Sequence, residues 1–467
     1  MNPQDIKKIY LIAICGTGMA SLAGLLKEAG YDVMGSDANI YPPMSTLLAD
    51  LGIPVKPGYK RENITSDIDL VIVGNAVSRT NEEVQAVLDA GISYTSFPDA
   101  VARFFLEGRK SLVVTGTHGK TTTTSLLSWV LHACGQQPGF MVGGWLKNFD
   151  RNYRVPKGDF FVSEGDEYDT AFFDKGPKFL HYRPFGAILT GIEFDHADIY
   201  TDLDHFKSSF RKFVEIIDPN GFLLVRFADD HIKDVLDRVA CPVETYGLTP
   251  GADWFGEGYH FEDGSGCFTL CHKGRRVGEV RLPMVGRYNG ENAIAVAAVA
   301  IRLGIPAADV CKAFSGFRGI KRRQEVVGEK NGVTVMDDFA HHPTAIGLTI
   351  GAVKEAYPEG RVWAVFEPRS ATSRRNVFQD TFPPSFLKAD EVIIAGVFSP
   401  DKIPLHERLD PARVVEDIGK QGGRAHYIPE VEDIVGFIAE NSRPKDVVLI
   451  MSSGGFYGIH QKLLHRL

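Results

Sequence analysis

The chain has no run of about 18 apolar residues, the length a helix needs to cross a bilayer, so it carries no membrane span. Nor is a secretory signal expected. Met1 to Lys8 is polar and leads straight into a strand pattern, with no apolar core or small-residue cleavage site. There is no excess of basic residues: 51 Lys and Arg stand against 59 Asp and Glu, a net charge of −8, which argues against a nucleic-acid or anionic-membrane surface. Cysteine is sparse. Cys15, Cys134, Cys241, Cys267, Cys271 and Cys311 are scattered along 467 residues, which excludes a disulfide scaffold and reads as reduced cytosolic thiols. Cys267, Cys271 and His272 would make half a metal site, but no second half accompanies them. No internal repeat or low-complexity tract is present. These absences predict a cytoplasmic protein with no nucleic acid and no membrane among its partners.

What the chain does contain is a regular alternation of short apolar, β-branched runs with helical stretches, the pattern of parallel sheets with helices on their faces. Its length and 44% apolar content suit three domains. Three strand-turn-helix openings divide it. The first runs Ile9–Ile14, then Cys15-Gly16-Thr17-Gly18-Met19, then a helix over Ala20–Ala29, and the next strand ends in Ser36-Asp37. This resembles a dinucleotide fold, although the third glycine, Gly24, is out of register. Backbone N–H groups at such a helix start can hold a diphosphate. A further strand, Leu70–Val73, ends in Gly74-Asn75-Ala76. The third opening has a strand over Gly332–Met336, Asp337-Asp338 at its end and a helix from Pro343. The fold expected is α/β with three parallel-sheet domains: Rossmann-like over 1–110, a P-loop ATPase over 111–320 and Rossmann-like over 321–467.

The second opening carries the strongest chemistry. Strand Ser111–Thr115 leads into Gly116-Thr117-His118-Gly119-Lys120-Thr121, and Thr122–Cys134 reads as a helix. Glycines in such a turn let backbone N–H groups approach phosphate oxygens, the lysine reaches the β- and γ-phosphates, and the threonine hydroxyl can ligate Mg²⁺. The turn is two residues shorter than the common P-loop, whose first glycine would fall at Val114. Two further strand ends carry Glu164 and the group Glu193, Asp195, His196. Ligands of parallel sheets collect at these carboxyl ends. Thr121, Glu164 and His196 are therefore candidate ligands for two Mg²⁺ ions, the histidine being the unusual one for an oxygen-seeking cation. The plainer alternatives are a helix-start charge for Glu164 and a satisfied turn histidine for His196. Arg369, Arg374 and Arg375 follow a later strand, where guanidinium groups could grip a carboxylate; an exposed basic helix start is the alternative.

Five motifs in one order carry a resemblance to the Mur ligase family, the ATP-dependent enzymes that build the peptide of peptidoglycan. They are Gly116 to Thr122, Glu164-Gly165-Asp166-Glu167, Glu193 to Asp198, Gly286 to Asn292, and Asp337 to Thr344. The resemblance implies that the first domain binds a UDP-sugar through Gly16, Thr17, Gly18, Met19, Ser36, Asp37, Asn75 and Ala76. It implies that the second binds ATP through Gly116, Thr117, His118, Gly119, Lys120, Thr121 and Thr122, with Lys120 on the γ-phosphate. Asn289 and Asn292 would meet the adenine edge, Arg323 and Asp338 the phosphates and ribose, and His341 would stand near the reacting centre. Several family members carry a carbamylated lysine one helix beyond the histidine motif. Here Phe210 stands in that place, with Lys207 and Lys212 off register, as in the branch that acts on UDP-N-acetylmuramate itself.

In that branch the lactyl carboxylate is activated as an acyl phosphate, and an amine then displaces phosphate. Lys120, His196 and His341 would form the catalytic set, with ATP and Mg²⁺ required. The segments Ser36 to Thr46, Glu167 to Asp174, Phe366 to Ser370 and Ser453 to Leu463 resemble those of the family's recycling ligases, which implies the muropeptide-derived tripeptide L-alanyl-γ-D-glutamyl-meso-diaminopimelate as acceptor. The alternative acceptor is L-alanine, in biosynthesis. A monomer or weak homo-oligomer is expected. Two other classes remain to be separated by assay: a dehydrogenase resting on Gly16, Gly18 and Asp37, and a non-catalytic nucleotide-binding protein, which would need no second substrate. A folylpolyglutamate synthase is disfavoured by the domain preceding the P-loop.

Overall fold

A computed structural model describes residues 5–467. The first four residues, which begin the polar stretch and the 1–110 segment read above, lie outside the described residues. The chain forms two compact units. One comprises the chain up to Ile192 with Lys207–Tyr246 and Ala295–Ala313; the other comprises Glu193–Phe206, Gly247–Ile294 and Phe314–Leu467.

The first unit holds a five-stranded, wholly parallel sheet in the order Val55–Pro57, Asp32–Asp37, Lys8–Ile12, Leu70–Val73, Tyr94–Ser96. Its central strands are apolar and buried along almost their whole length, because helices such as Thr17–Glu28 and Glu82–Ala90 pack on the faces. The first strand ends two residues earlier than its apolar run suggests. Ala13 has φ of 65°, a left-handed conformation that ends the ladder and begins the glycine turn. The same unit carries seven strands in the order Val243–Gly247, Phe222–Arg226, Gly186–Leu189, Lys110–Thr115, Phe160–Gly165, Gly139–Leu146, Arg151–Arg154, all parallel except the last pairing. Helix Thr17–Glu28 lies against the last two of these strands. Ser21 Oγ accepts from Asn152 Nδ2 at 2.8 Å, and Gly24 faces the Tyr153 ring.

The second unit holds an antiparallel meander of Trp254–Glu262, Ser265–His272 and Arg275–Leu282. Of the Cys267, Cys271 and His272 group singled out in the sequence, Cys271 and His272 serve packing: Cys271 is buried with Ala252 and Phe255, and the His272 ring stacks on Trp254 at 3.9 Å, while Cys267 is half-buried, with its Sγ 3.8 Å from Arg281 Nη1. The same unit has a six-stranded sheet in the order Glu325–Lys330, Val333–Asp338, Val447–Met451, Val362–Phe366, Glu391–Ile394, Ala425–Tyr427, antiparallel only at the first pairing. Apolar cores lie on both its faces, one under helices Pro343–Ala356 and Pro411–Lys420, the other under Val431–Asn441 and Ile459–Arg466. The last strand of the chain returns between the two earlier ones. The strand order reverses there, and in open parallel sheets the carboxyl ends of the strands at such a reversal, here Val362–Phe366 and Val447–Met451, are where ligands bind.

Candidate active site

The glycine turn is built as its sequence requires. Gly116 and Gly119 have φ of 122° and 80°, and helix Lys120–Ala133 starts directly after Gly119, two residues before the helix read from the sequence. A Cβ on Gly116 would lie 2.5 Å from Thr190 Oγ1 and 2.8 Å from Gly191 O, so the turn is pressed against the end of the neighbouring strand. Thr117 N donates to Gly191 O at 2.9 Å. Lys120 Nζ donates to Gly116 O at 2.6 Å and to Glu167 Oε1 at 2.9 Å. Burial pushes the Lys120 ammonium toward losing its proton, but the carboxylates of Glu167, Asp166 and Glu164 outweigh that and raise its pKa. The site therefore keeps a cation where a triphosphate would lie.

Glu167, at 0% side-chain exposure, stands in the sequence in an acidic cluster and at the head of the segment Glu167 to Asp174, with no role of its own assigned. Its partner is visible only in the fold, because 47 residues separate it from Lys120. Beside it, Asp166 pairs with Lys178 at 2.5 Å. Burial pushes the Asp166 pKa up, and the Lys178 and Lys120 charges pull it further down, to about 2. Glu164 sits at the end of its strand, in register with Val114, and accepts from Gly143 N at 2.9 Å. A threonine hydroxyl in a helix's first turn and a carboxylate at an adjacent strand end are hard oxygen donors, which suits Thr121 and Glu164 to Mg²⁺.

At the other sheet of this unit, Gly16 to Met19 and Asn75-Ala76 follow the carboxyl ends of two strands and Ser36-Asp37 form the carboxyl end of a third adjacent to them, so the fold brings these three groups to one edge. Gly16 caps helix Thr17–Glu28 in an extended conformation, and Asn75 and Ala76 are exposed. Asp37 is buried and accepts from Cys15 N and Asn39 N at 2.9 Å each, which fixes the turn. Burial and that carboxylate push the Cys15 thiol up to about 11. Ser36 donates to Glu83, a fully buried carboxylate that the sequence did not reveal; Glu83 also receives Tyr10 Oη at 3.0 Å and Asn63 Nδ2 at 2.6 Å.

The remaining candidates belong to the second unit. His196 has φ of 57°. Its N–H donates to Asp195 Oδ1 at 2.7 Å, and Thr372 Oγ1 donates to the same oxygen at 2.9 Å. Burial raises the Asp195 pKa, yet the imidazoles of His196, His341 and His342 hold the carboxyl far below the usual range. Thr344 Oγ1 donates to Glu193 Oε2 at 2.7 Å. His341 Nδ1 donates to Phe339 O at 3.0 Å. Asn289 and Asn292 are buried: Asn289 Nδ2 donates to Val285 O at 2.7 Å, and Asn292 Nδ2 to Asn289 Oδ1 at 3.4 Å. Arg323 lies 4.9 Å from the Phe339 ring centre. Asp338 accepts from Gln324 N at 2.7 Å and Ala340 N at 2.8 Å; burial raises its pKa against the pull of Arg323. Arg369, Arg374 and Arg375 gather on one loop after strand Val362–Phe366.

Three family models match consecutive parts of the chain: the Mur ligase family catalytic domain over residues 8–109, the Mur ligase middle domain over 114–300, and the Mur ligase glutamate ligase domain over 322–454. The chain belongs to the Mur ligase family.

Among Mur ligases, the UDP-N-acetylmuramate–L-alanyl-γ-D-glutamyl-meso-2,6-diaminoheptandioate ligase of Escherichia coli K12 is 40% identical over 98% of this chain and 97% of its own length. The UDP-N-acetylmuramate–L-alanine ligase of Clostridium tetani is 34% identical over 97% and 96%. The crystal structure of a murein peptide ligase from Psychrobacter arcticus superposes with a TM-score of 0.74 at 36% identity, covering 98% of both chains. The three-domain Mur ligase fold agrees with the α/β, parallel-sheet architecture expected above. At the place of the carbamylated lysine, the Phe210 ring is fully buried with its centre 5.8 Å from that of Phe179, and Lys207 pairs with Asp234 at 2.7 Å. Among the described residues no helix is long and apolar enough to cross a membrane.

Proposed function

We propose that this Mur ligase joins UDP-N-acetylmuramate to the tripeptide L-alanyl-γ-D-glutamyl-meso-diaminopimelate through an acyl phosphate, in the recycling of cell-wall peptide in the cytoplasm. The observation that carries the proposal is the charged Lys120 at a glycine turn of positive φ, in a chain aligned end to end with an E. coli ligase of that name. Domain limits near residues 110 and 320 fit the reading, and a monomer or weak homo-oligomer is the assembly it assumes.

The lactyl carboxylate of the sugar nucleotide attacks the γ-phosphorus, and ADP leaves with the bridging oxygen's electron pair. Lys120 and the N–H groups of Gly116 to Thr122 hold the phosphoryl oxygens as charge spreads over them. The alanyl amine then attacks the acyl carbon, and inorganic phosphate leaves from the tetrahedral intermediate. His341 is suited to take the amine proton. Thr121 and Glu164, with His196, are the groups assigned to Mg²⁺, which when bound neutralises phosphate charge. Asn289, Asn292, Arg323 and Asp338 are assigned to the nucleoside end of ATP. Gly16 to Met19, Ser36, Asp37, Asn75 and Ala76 are assigned to the UDP-sugar. Arg369, Arg374 and Arg375 are assigned to acceptor carboxylates, which L-alanine has in smaller number.

The test is phosphate release from ATP with UDP-N-acetylmuramate and either acceptor. Release dependent on all three substrates, faster with tripeptide than with L-alanine, is the expected result. A preference for L-alanine would support the biosynthetic reading, which the C. tetani relative favours. Release without any acceptor requirement would remove the ligase reading.

A further inference from the structure

Arg369 is held in an unusual way for a surface-loop arginine. Its guanidinium carbon lies 3.7 Å from the centre of the Phe398 ring. On the chain returning from strand Val447–Met451, Gly454 abuts it closely enough that a Cβ there would sit 1.9 Å from Arg369 Nε and 2.3 Å from its Cζ. A third restraint is Glu367, whose Oε1 is 3.4 Å from Arg369 Nη1 and whose side chain is 2% exposed. Glu367 is itself fixed. Its other oxygen accepts from Ser452 Oγ, its backbone N–H donates to Met451 O at 3.1 Å, and Ser452 Oγ accepts from Gly454 N at 2.9 Å. Glu367 and Ser452 directly follow the ends of the two strands that flank the point where the strand order reverses.

A guanidinium is planar and donates only from its edges. With Phe398 stacked on Arg369 and Gly454 packed against it, the free edges are what remains for a ligand. Glu367 occupies one edge and is too deeply buried to meet a substrate itself. The surroundings are cationic: burial and then the neighbouring Arg375 and Arg369 lower the Arg374 pKa, against a smaller opposing pull from Asp198. Among the described residues Arg374 donates to the Ser370 carbonyl at 3.3 Å and the Phe398 carbonyl at 3.4 Å, and Arg375 is paired with Glu407. A site in which one guanidinium is aimed and another donates to neutral carbonyls suits an anion.

We propose that Glu367, Ser452 and Gly454 form a fixed frame that aims the Arg369 guanidinium at a free carboxylate of the acceptor peptide, so that Glu367 is a positioning residue for acceptor choice. The inference rests on the tripeptide reading above. Preorganisation is the physical gain: the guanidinium is ordered before the acceptor arrives, so its ordering is not charged against binding. Gly454 is required because any side chain would displace the guanidinium, and Glu367 because a neutral group of the same shape would no longer anchor it.

The experiment compares ligation of the tripeptide with that of the same peptide amidated at its C-terminal carboxylate, or at its other free carboxylates in turn. The parent, Glu367→Gln and Arg369→Lys are assayed. Glu367→Gln keeps the volume of the buried side chain, and Arg369→Lys keeps the charge at a part-exposed position. The parent is expected to prefer one acid over its amide. In both variants that ratio falls by about tenfold, the value of one charge-assisted bidentate contact. The KM for the acceptor rises, while the KM values for ATP and UDP-N-acetylmuramate stay the same, which general damage to the fold would not produce. An acid-to-amide ratio equal to the parent's in Arg369→Lys, or in a folded Glu367→Gln, overturns the inference and leaves the tripeptide reading standing. Absence of tripeptide turnover in the parent overturns both.

Discussion

The pairing of Lys120 with Glu167 leads to a sharp expectation for Glu167→Gln. Glu167 neutralises Lys120 across 2.9 Å, with side-chain exposures of 0% and 17%. Removing one partner of a buried ion pair costs about 3–5 kcal/mol when nothing replaces it. Lys120 keeps its 2.6 Å bond to Gly116 O and some contact with water, so we expect roughly half of that, about 2 kcal/mol. In the ATP complex the γ-phosphate takes over as counter-charge, and the loss largely vanishes. By linkage the difference must reappear as nucleotide affinity: the variant should be less stable alone, yet bind ATP about thirtyfold more tightly. Titration calorimetry with a non-hydrolysable ATP analogue, without sugar nucleotide, measures the affinity, and thermal melts with and without the analogue measure the linkage. Nucleotide affinity equal to or weaker than the parent's, in a variant that melts lower, would refute the idea that Glu167 holds the place of the phosphate charge.

Three further outcomes are expected. Gly24→Ala should lower stability by about 2–3 kcal/mol through overpacking, because its Cβ would lie 2.3 Å from Tyr153 Cζ; in a Tyr153→Ala background, itself less stable because that ring is buried, the same substitution should cost much less in denaturant melts, and an equal cost in both backgrounds would exclude this contact as the cause. The folded-state pKa of Asp166, about 2, lies below its ordinary value of 3.8, so its stabilising contribution is complete above that value and is lost as pH falls toward 2. Lys178→Met removes the partner, so acid unfolding should begin at higher pH than in the parent; identical acid midpoints would count against the pair. Thr372→Val deletes the 2.9 Å bond to Asp195, worth about 1 kcal/mol, and should raise the acceptor KM several-fold because Thr372 lies between Arg369 and Arg374; an unchanged KM alongside reduced stability would make that bond purely structural.

The phosphate turn was legible in the sequence because its chemistry is local. Gly116 and Gly119 are needed where φ is positive, and Lys120 and Thr121 follow within one helical turn, so adjacency along the chain is adjacency in space. Buried parallel strands were legible for a similar reason: Leu70–Val73, Val362–Phe366 and Val447–Met451 are unbroken apolar runs whose ends coincide with the observed strands. Where the apolar run continued past the strand, as at Ile14, the conformation of one residue, Ala13, decided the boundary, and periodicity does not report on a single φ angle.

The sequence by itself therefore determined the α/β class, the phosphate cradle and the membership of a ligase family. Tertiary structure alone decided which cation or hydroxyl meets each buried carboxylate. Glu167 meets Lys120 across 47 residues, Thr372 meets Asp195 across 177, and Ser452 meets Glu367 across 85. Each of these partners comes from a different strand end, and parallel sheets join strands that are distant in sequence. A carboxylate's role depends on which cation the crossover brings beside it and on how completely water is excluded from the pair. Neither quantity is written in the spacing of residues along the chain.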